Sequence, residues 1–125
     1  MRLLVTGGAG FIGSAVVRLA VSQGLHVINL DALTYSGSLS NVASVASEPN
    51  YTFVEADLRD RSALEAAFET HKPDRVMHLA AESHVDRSID GPSDFIDTNI
   101  TGTFNLLEAA RKHWDTLVKP DAFRL

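Results

Sequence analysis

The chain has no cysteine, one tryptophan and two tyrosines, and its 11 lysines and arginines are outnumbered by 16 aspartates and glutamates in 125 residues. Without cysteine there is no disulfide framework, no thiolate nucleophile and no thiolate metal site. That suits a reducing compartment, and the cytoplasm is the expected location. A formal net charge of −5 with no basic stripe argues against a nucleic-acid partner. No apolar run approaches the length of a membrane span, and the amino terminus leads straight into a strand pattern rather than a signal segment. No membrane partner is expected. Repeats, linkers and low-complexity tracts are missing too. What remains is 45% hydrophobic with a mean hydropathy of +0.01, enough for one domain with a real core.

The richest segment is Val5-Thr6-Gly7-Gly8-Ala9-Gly10-Phe11-Ile12-Gly13. It reads both as Gly8-x-Gly10-x-x-Gly13 and as Gly7-x-x-Gly10-x-x-Gly13. An apolar strand, Leu3-Leu4-Val5, precedes it and a helical pattern follows. In that setting the glycines allow a tight turn and a close approach to a pyrophosphate, and the helix start offers free amides and a positive dipole end. A second apolar run, Val27-Ile28-Asn29-Leu30, closes on Asp31, about 20 residues beyond the glycines, where a carboxylate accepts both ribose hydroxyls. A ligand-free turn is the alternative, but it needs neither all these glycines nor the acid. Asp31 also selects the cofactor. A 2′-phosphate about 4 Å away costs on the order of 4 kcal/mol per charge pair at an effective dielectric near 20. No arginine between Asp31 and Pro49 offsets it, so NAD is expected rather than NADP.

Strand and helix patterns alternate along the chain. A helix is expected from Ile12 to Gln23 with Ile12, Val16, Leu19 and Ala20 on its buried face, stopped by Gly24. A polar stretch runs from Ala32 to Ser40, and a short helix from Leu39 to Ser47 ends at Glu48-Pro49-Asn50. Tyr51 to Glu55 reads as the third strand, Arg61 to His71 as a helix with Leu64, Ala67, Phe68 and His71 in register, and Arg75 to Leu79 as the fourth strand. The last helix starts near Pro92 and continues to His113. This order predicts an α/β fold: a Rossmann-type, doubly wound parallel sheet, spatial order 3-2-1-4, with helices on both faces. Its ligand site lies at the carboxyl ends of the strands, between strands one and four. Phe123-Arg124-Leu125 looks like the opening of a fifth strand. Strand four is then an open edge, and self-association through it, or a homodimer, is expected.

Leu79-Ala80-Ala81-Glu82-Ser83-His84-Val85-Asp86-Arg87-Ser88-Ile89 follows strand four directly. Small residues at 80 and 81 let a flat ring approach the backbone, and Ser83 offers a hydroxyl beside it. From composition alone the rest reads as a solvated loop in which Asp86 and Arg87 pair. The segment from Ala80 to Ile89, however, strongly resembles the dTDP-glucose 4,6-dehydratases, NAD-dependent members of the extended short-chain dehydrogenase/reductase family. The resemblance continues in Thr6 to Gly13, in Leu33-Thr34-Tyr35, in Phe95-Ile96-Asp97-Thr98-Asn99 with Gly102-Thr103, and in Leu106 to Arg111. The glycine motif marks the superfamily, whereas the Glu82 to Ile89 run is more specific.

The resemblance implies the following roles. Gly7, Gly10 and Gly13 cradle the pyrophosphate, with Phe11 and Ile12 at the same turn. Asp31, Ala32, Leu33 and Thr34 lie along the adenosine ribose, and Asp57 and Leu58 flank the adenine. Leu79, Ala80 and Ala81 line the ribose and nicotinamide side, Thr98 closes from the last helix, and Ser83 faces the sugar of a nucleotide-sugar substrate, dTDP-glucose. Ala32 stands where the family usually has lysine and Ser38 where asparagine is common; both touch the adenosine end. The implied reaction removes a hydride from C4 of glucose to NAD, eliminates water across C5–C6 and returns the hydride to C6. The family performs it with Tyr-x-x-x-Lys and Thr-Asp-Glu. Here Tyr35 and Tyr51 are followed four positions later by Leu39 and Glu55. Residues 1–125 are thus expected to be a partial NAD-binding domain without a substrate domain, containing no catalytic residue and inactive alone. A dehydratase or epimerase of another nucleotide sugar, or a stand-alone NAD-binding fragment without turnover, are the rival readings.

The histidines do not show metal-ligand spacing. His78, inside an apolar strand, reads as a hydrogen-bonded core residue, and His84 as a group orienting its loop. His26, His71 and His113 read as helix ends or surface. Trp114 is expected to cap the apolar face of the last helix. Gly102 in mid-helix costs about 1 kcal/mol relative to alanine, which a close approach would justify.

Overall fold

A computed structural model describes residues 1–125, apart from the side chain of Arg87. The strands are β1 (Arg2–Thr6), β2 (His26–Asp31), β3 (Tyr51–Glu55) and β4 (Arg75–His78). All pair in parallel in the order β3-β2-β1-β4, the expected one. Register brings Thr6 level with Leu30 on one side and His78 on the other, so three carboxyl ends open at one edge.

The two-residue period of a strand divides the core into two layers. Leu4, Ile28, Leu30 and Val76 face α2 (Arg61–His71) and α5 (Thr103–Trp114), meeting Leu64, Phe68, Leu106 and Ala109. Leu3, Val5 and Val27 face the other way, against Val17, Ala20 and Val21 of α1 (Phe11–Ser22) and Val42 and Val45 of a 3-10 helix (Leu39–Val45). Helices therefore cover both faces. Asp60 caps α2 by accepting the Ala63 N–H at 3.2 Å, and Lys72 ends it in a left-handed conformation (φ 47°) ahead of Pro73.

The structure corrects several expectations. The buried face of α1 comprises Gly13, Ser14, Val17, Ala20 and Val21, while Ile12 and Leu19 are 66% and 59% exposed. The reason lies at the helix start. Gly13 sits so close to the glycine turn that a Cβ there would lie 2.0 Å from the Gly7 carbonyl oxygen. That contact rotates the helix so that the small side of its first turn faces inward. The segment read as a solvated loop contains a helix, α3 (Val85–Asp90). The expected last helix is divided into α4 (Pro92–Ile96), a π-helical turn (Asp97–Gly102) and α5. His113 is buried rather than superficial: it lies between the rings of Phe68 and Phe123 and donates from Nε2 to the Pro73 carbonyl at 3.0 Å. It falls on the same helical stripe as Leu106, Ala109 and Ala110, which is what buries it. Trp114 is 43% exposed and donates its indole N–H to Pro120 O at 3.0 Å.

At the carboxyl end, Arg124 forms an isolated parallel bridge to Arg75, and the Val76 N–H donates to Arg124 O at 2.8 Å. No helix among the described residues is long and apolar enough to cross a membrane.

Candidate functional site

An open cleft of about 520 Å³ lies at the carboxyl ends of the strands. Its floor is the turn between β1 and α1. Gly7 has a φ of 71°, which favours glycine, and a Cβ there would lie 2.7 Å from the backbone N and Cα of Ala80. The turn is closed by the Gly10 N–H donating to Gly7 O at 3.2 Å. Gly10 caps α1 without any side-chain bond, and the first turn carries no acid. The leading amides, Phe11 and Ile12 among them, thus lack intrahelical acceptors and present a positive end to the cleft. Phe11 is 93% exposed.

Asp31 ends β2 nearly buried. Its Oδ2 accepts the Ala9 N–H at 2.9 Å and its Oδ1 accepts the Leu33 N–H at 2.8 Å. The carboxylate therefore braces the glycine turn against the loop that follows β2, and its remaining lone pairs are left for a ligand. Ala32 and Thr34 line the cleft beside it; Leu33 does not. Leu33 takes a left-handed backbone (φ 54°) as its amide turns to Asp31.

Asp57 follows β3 and is gripped by Arg59, whose Nη2 lies 2.7 Å and Nε 3.1 Å from Oδ2. The guanidinium bonds hold the Asp57 carboxyl below the usual carboxylate range, against the opposing effect of partial burial. Arg59 also approaches Asp94 of α4 at 3.7 Å. Leu58 is buried behind them, its carbonyl accepting from Asn105 Nδ2 at 3.0 Å. Gly102 explains itself here: a Cβ on it would lie 2.8 Å from Leu58 Cβ.

The loop after β4 forms the far wall. Thr6 Oγ1 accepts the amides of Leu79 and Ala80 at 3.2 and 3.3 Å and meets His78 Nδ1 at 2.7 Å. His78 is thus a hydrogen-bonded, partly buried residue, and burial pushes its pKa down. Further along, Asn99 of the π-helical turn pairs with both main-chain groups of Glu82. Ala80, Ala81, Ser83 and Thr98 line the cleft. The His84 ring meets Tyr35 edge-on, centroids 6.1 Å apart. The expected pairing of Asp86 with Arg87 lies outside the described side chains.

All the sequence-derived site residues except Leu33 thus border one cleft. Sequence reasoning missed Arg59, Asp94 and Tyr35, which also border it. An arginine two positions beyond a post-strand aspartate was a usable signal for Arg59. Asp94 is brought in only by the packing of α4. Among the described residues, no three His, Asp or Glu side chains come together as a metal site.

The cradle suits a dinucleotide. Glycines stand where a Cβ would collide, the helix start has no anion of its own, and a braced carboxylate waits at the neighbouring strand end. Comparison with known proteins agrees with that chemistry. Residues 4–123 match the family described as GDP-mannose 4,6 dehydratase. A probable dTDP-glucose 4,6-dehydratase of Sinorhizobium fredii is 58% identical over 117 residues, covering 94% of this chain and 33% of the relative. A dTDP-glucose 4,6-dehydratase of Escherichia coli K12 is 54% identical over 127 residues, 99% of this chain and 35% of the relative. Among solved structures, the Streptomyces venezuelae dTDP-glucose 4,6-dehydratase with NAD bound superposes with a TM-score of 0.84 at 48% identity, covering 90% of this chain and 36% of that one. The Thermus thermophilus UDP-glucose 4-epimerase complex with NAD gives 0.80 at 42% identity, covering 90% and 34%. The chain spans about a third of the length of the curated relatives it matches.

Proposed function

The chain belongs to the GDP-mannose 4,6-dehydratase family, and from that premise we propose that it is the cofactor-holding part of an NAD-dependent dTDP-glucose 4,6-dehydratase. The observation that carries the proposal is the placement of the Asp31 carboxylate, fixed by the Ala9 and Leu33 amides beside the uncapped start of α1. This is one site for ribose hydroxyls next to one site for a pyrophosphate. When bound, NAD supplies a hydride acceptor that also returns the hydride.

The residues divide the work of holding it. Gly7, Gly10 and Gly13 let the pyrophosphate approach the backbone, and the Phe11 and Ile12 amides donate to it. Asp31 accepts from the ribose and disfavours a 2′-phosphate, with Ala32 and Thr34 alongside. Asp57 and Leu58 border the adenine. Leu79, Ala80, Ala81 and Thr98 enclose the nicotinamide side, and Ser83 faces the sugar of dTDP-glucose. Residues 1–125 form part of the NAD-binding domain in this reading. Neither tyrosine here is followed by a lysine four positions on, so the general base of the reaction is not among these residues. The chain by itself should give no 4-keto sugar product. The likeness to an epimerase with NAD favours, as a second reading, another nucleotide sugar as substrate; the Glu82 to Ile89 run favours dTDP-glucose. A cytoplasmic location, supported by the lack of cysteine, and a homodimer or self-association through the part of the β4 edge beyond the Arg124 bridge, where Met77 is 41% exposed, complete the proposal.

Calorimetric titration tests it. NAD should bind with clear preference over NADP. Absent NAD binding, or equal affinity for the two, would remove the role given to Asp31.

A further inference from the structure

The hydrogen bonds around His78 have only one consistent direction. Thr6 Oγ1 receives two main-chain N–H groups, from Leu79 at 3.2 Å and Ala80 at 3.3 Å. A hydroxyl has two lone pairs and one proton. The Leu79 N–H is shared with the Thr6 main-chain carbonyl at 3.1 Å, and the direction is fixed from the other side of the ring. Thr103 Oγ1 gives its proton to Asn99 O and so accepts from Nε2, which leaves Nδ1 of a neutral ring to accept the Thr6 hydroxyl proton at 2.7 Å. Nδ1 is therefore the acceptor, and the imidazole carries its hydrogen on Nε2. Nε2 donates to Thr103 Oγ1 at 3.0 Å, and Thr103 passes its own proton to the Asn99 carbonyl at 2.7 Å. A single run of donors thus joins the end of β1, through β4, to the π-helical turn.

A protonated imidazole breaks the run. With hydrogen on both nitrogens it no longer accepts from Thr6 and instead competes for Thr6 Oγ1 with the Ala80 amide, whereas the Leu79 amide keeps the Thr6 main-chain carbonyl. Those amides belong to the cleft wall, and Ala80 packs directly on Gly7. We propose that His78 is a positioning residue. Its neutral, Nε2-protonated tautomer leaves Thr6 Oγ1 free to hold the Ala80 amide against the glycine turn, so the cleft keeps its cofactor-binding shape only while this imidazole is uncharged.

The groups facing the ring are Thr6 from β1 and Thr103 from α5, neither of them charged. Burial alone lowers the pKa of His78; no charged side chain among the described residues contributes to the shift. The neutral form therefore prevails near neutral pH, and acid reverses it.

The inference rests on the NAD reading for its binding test only. In the intact protein labelled with nitrogen-15 histidine, NMR should show His78 Nδ1 in the unprotonated range and Nε2 in the protonated range. The opposite tautomer, or a rapid mixture, overturns the proposal whether or not NAD binds. NAD affinity followed against pH should weaken about tenfold for each pH unit below the His78 pKa. His78→Asn offers a carbonyl to the Thr6 hydroxyl and does not titrate, so it should bind NAD near neutral pH and lose that acid limb. Thr6→Val should bind weakly at every pH. An acid limb unchanged in His78→Asn overturns the proposal. If no variant binds NAD, the cofactor reading fails instead. Exchange protection of the Ala80 amide, whose partner is Thr6 Oγ1, then decides for His78: protection lost on acidification supports the proposal, and protection independent of pH overturns it.

Discussion

Asn99 grips Glu82 by both of its main-chain groups: the Glu82 N–H donates to Asn99 Oδ1 at 2.7 Å, and Asn99 Nδ2 donates to Glu82 O at 2.8 Å. The carboxamide acts as a strand partner would, and so gives an irregular loop the definition of a sheet. Asn99→Ala removes both bonds and leaves two partly buried main-chain groups to find water. A loss of about 1–3 kcal/mol in stability is expected for such unsatisfied groups. NAD affinity should fall with it, because Ala80, Ala81 and Ser83 are immediate neighbours. Thermal melting and calorimetry on the same variant check both.

Gly102→Ala sets two effects against each other. Alanine gains about 1 kcal/mol of helix propensity. Its methyl would lie 2.8 Å from Leu58 Cβ, inside contact distance. Leu58 is buried and borders the cleft, so it yields only by moving toward the cleft. Overpacking of this kind costs typically 1–3 kcal/mol, and the clash wins. A lowered melting temperature with weakened NAD binding is expected. A gain in stability would show that the contact relaxes freely.

Asp31→Asn keeps the shape of the side chain and removes its charge. The preference for NAD over NADP should shrink, because the repulsion of a 2′-phosphate disappears. NAD binding itself should weaken, as a neutral amide is a poorer acceptor for ribose hydroxyls. Titration with both nucleotides measures the ratio directly, and an unchanged ratio would contradict the electrostatic account.

Stability should fall on the acid side in two stages. Burial holds His78 and His71 below the ordinary histidine value. The unfolded chain therefore takes up protons from about pH 6.5 downward while the folded chain resists. Stability declines through that window and levels off once the folded histidines are protonated. Asp57 acts lower down. Arg59 holds its pKa below the unfolded value, so its contribution is present above the ordinary carboxylate range and is lost as pH falls through the folded pKa. The Arg59 side chain is 45% exposed, so salt weakens this second stage. Melting curves from pH 7.5 to 3 at two ionic strengths, with His78→Asn and Arg59→Gln, separate the stages.

Much of this was legible beforehand where neighbouring residues act on one another. The strand order follows from the alternation of apolar runs with helical patterns, because parallel strands need crossovers of fixed hand. The glycine turn and Asp31 were readable because their spacing reflects one local turn and one strand length. α3 was missed because it is short and its one apolar pair at helical spacing, Val85 and Ile89, is exposed rather than turned to the core. The π-helical turn was missed because a one-residue widening leaves no compositional trace. That turn ends at Gly102, packed against Leu58 of the segment after β3, a neighbour that only the fold supplies.

By itself, the sequence determined the order of elements, the cradle and the choice of an acid at the end of β2. These are consequences of chain connectivity and of steric limits within a few residues. Tertiary structure alone decided which way the protons run through His78 and that Asn99 clasps Glu82. Each of these depends on a contact between elements distant in the chain, and such contacts exist only once packing has brought the elements together.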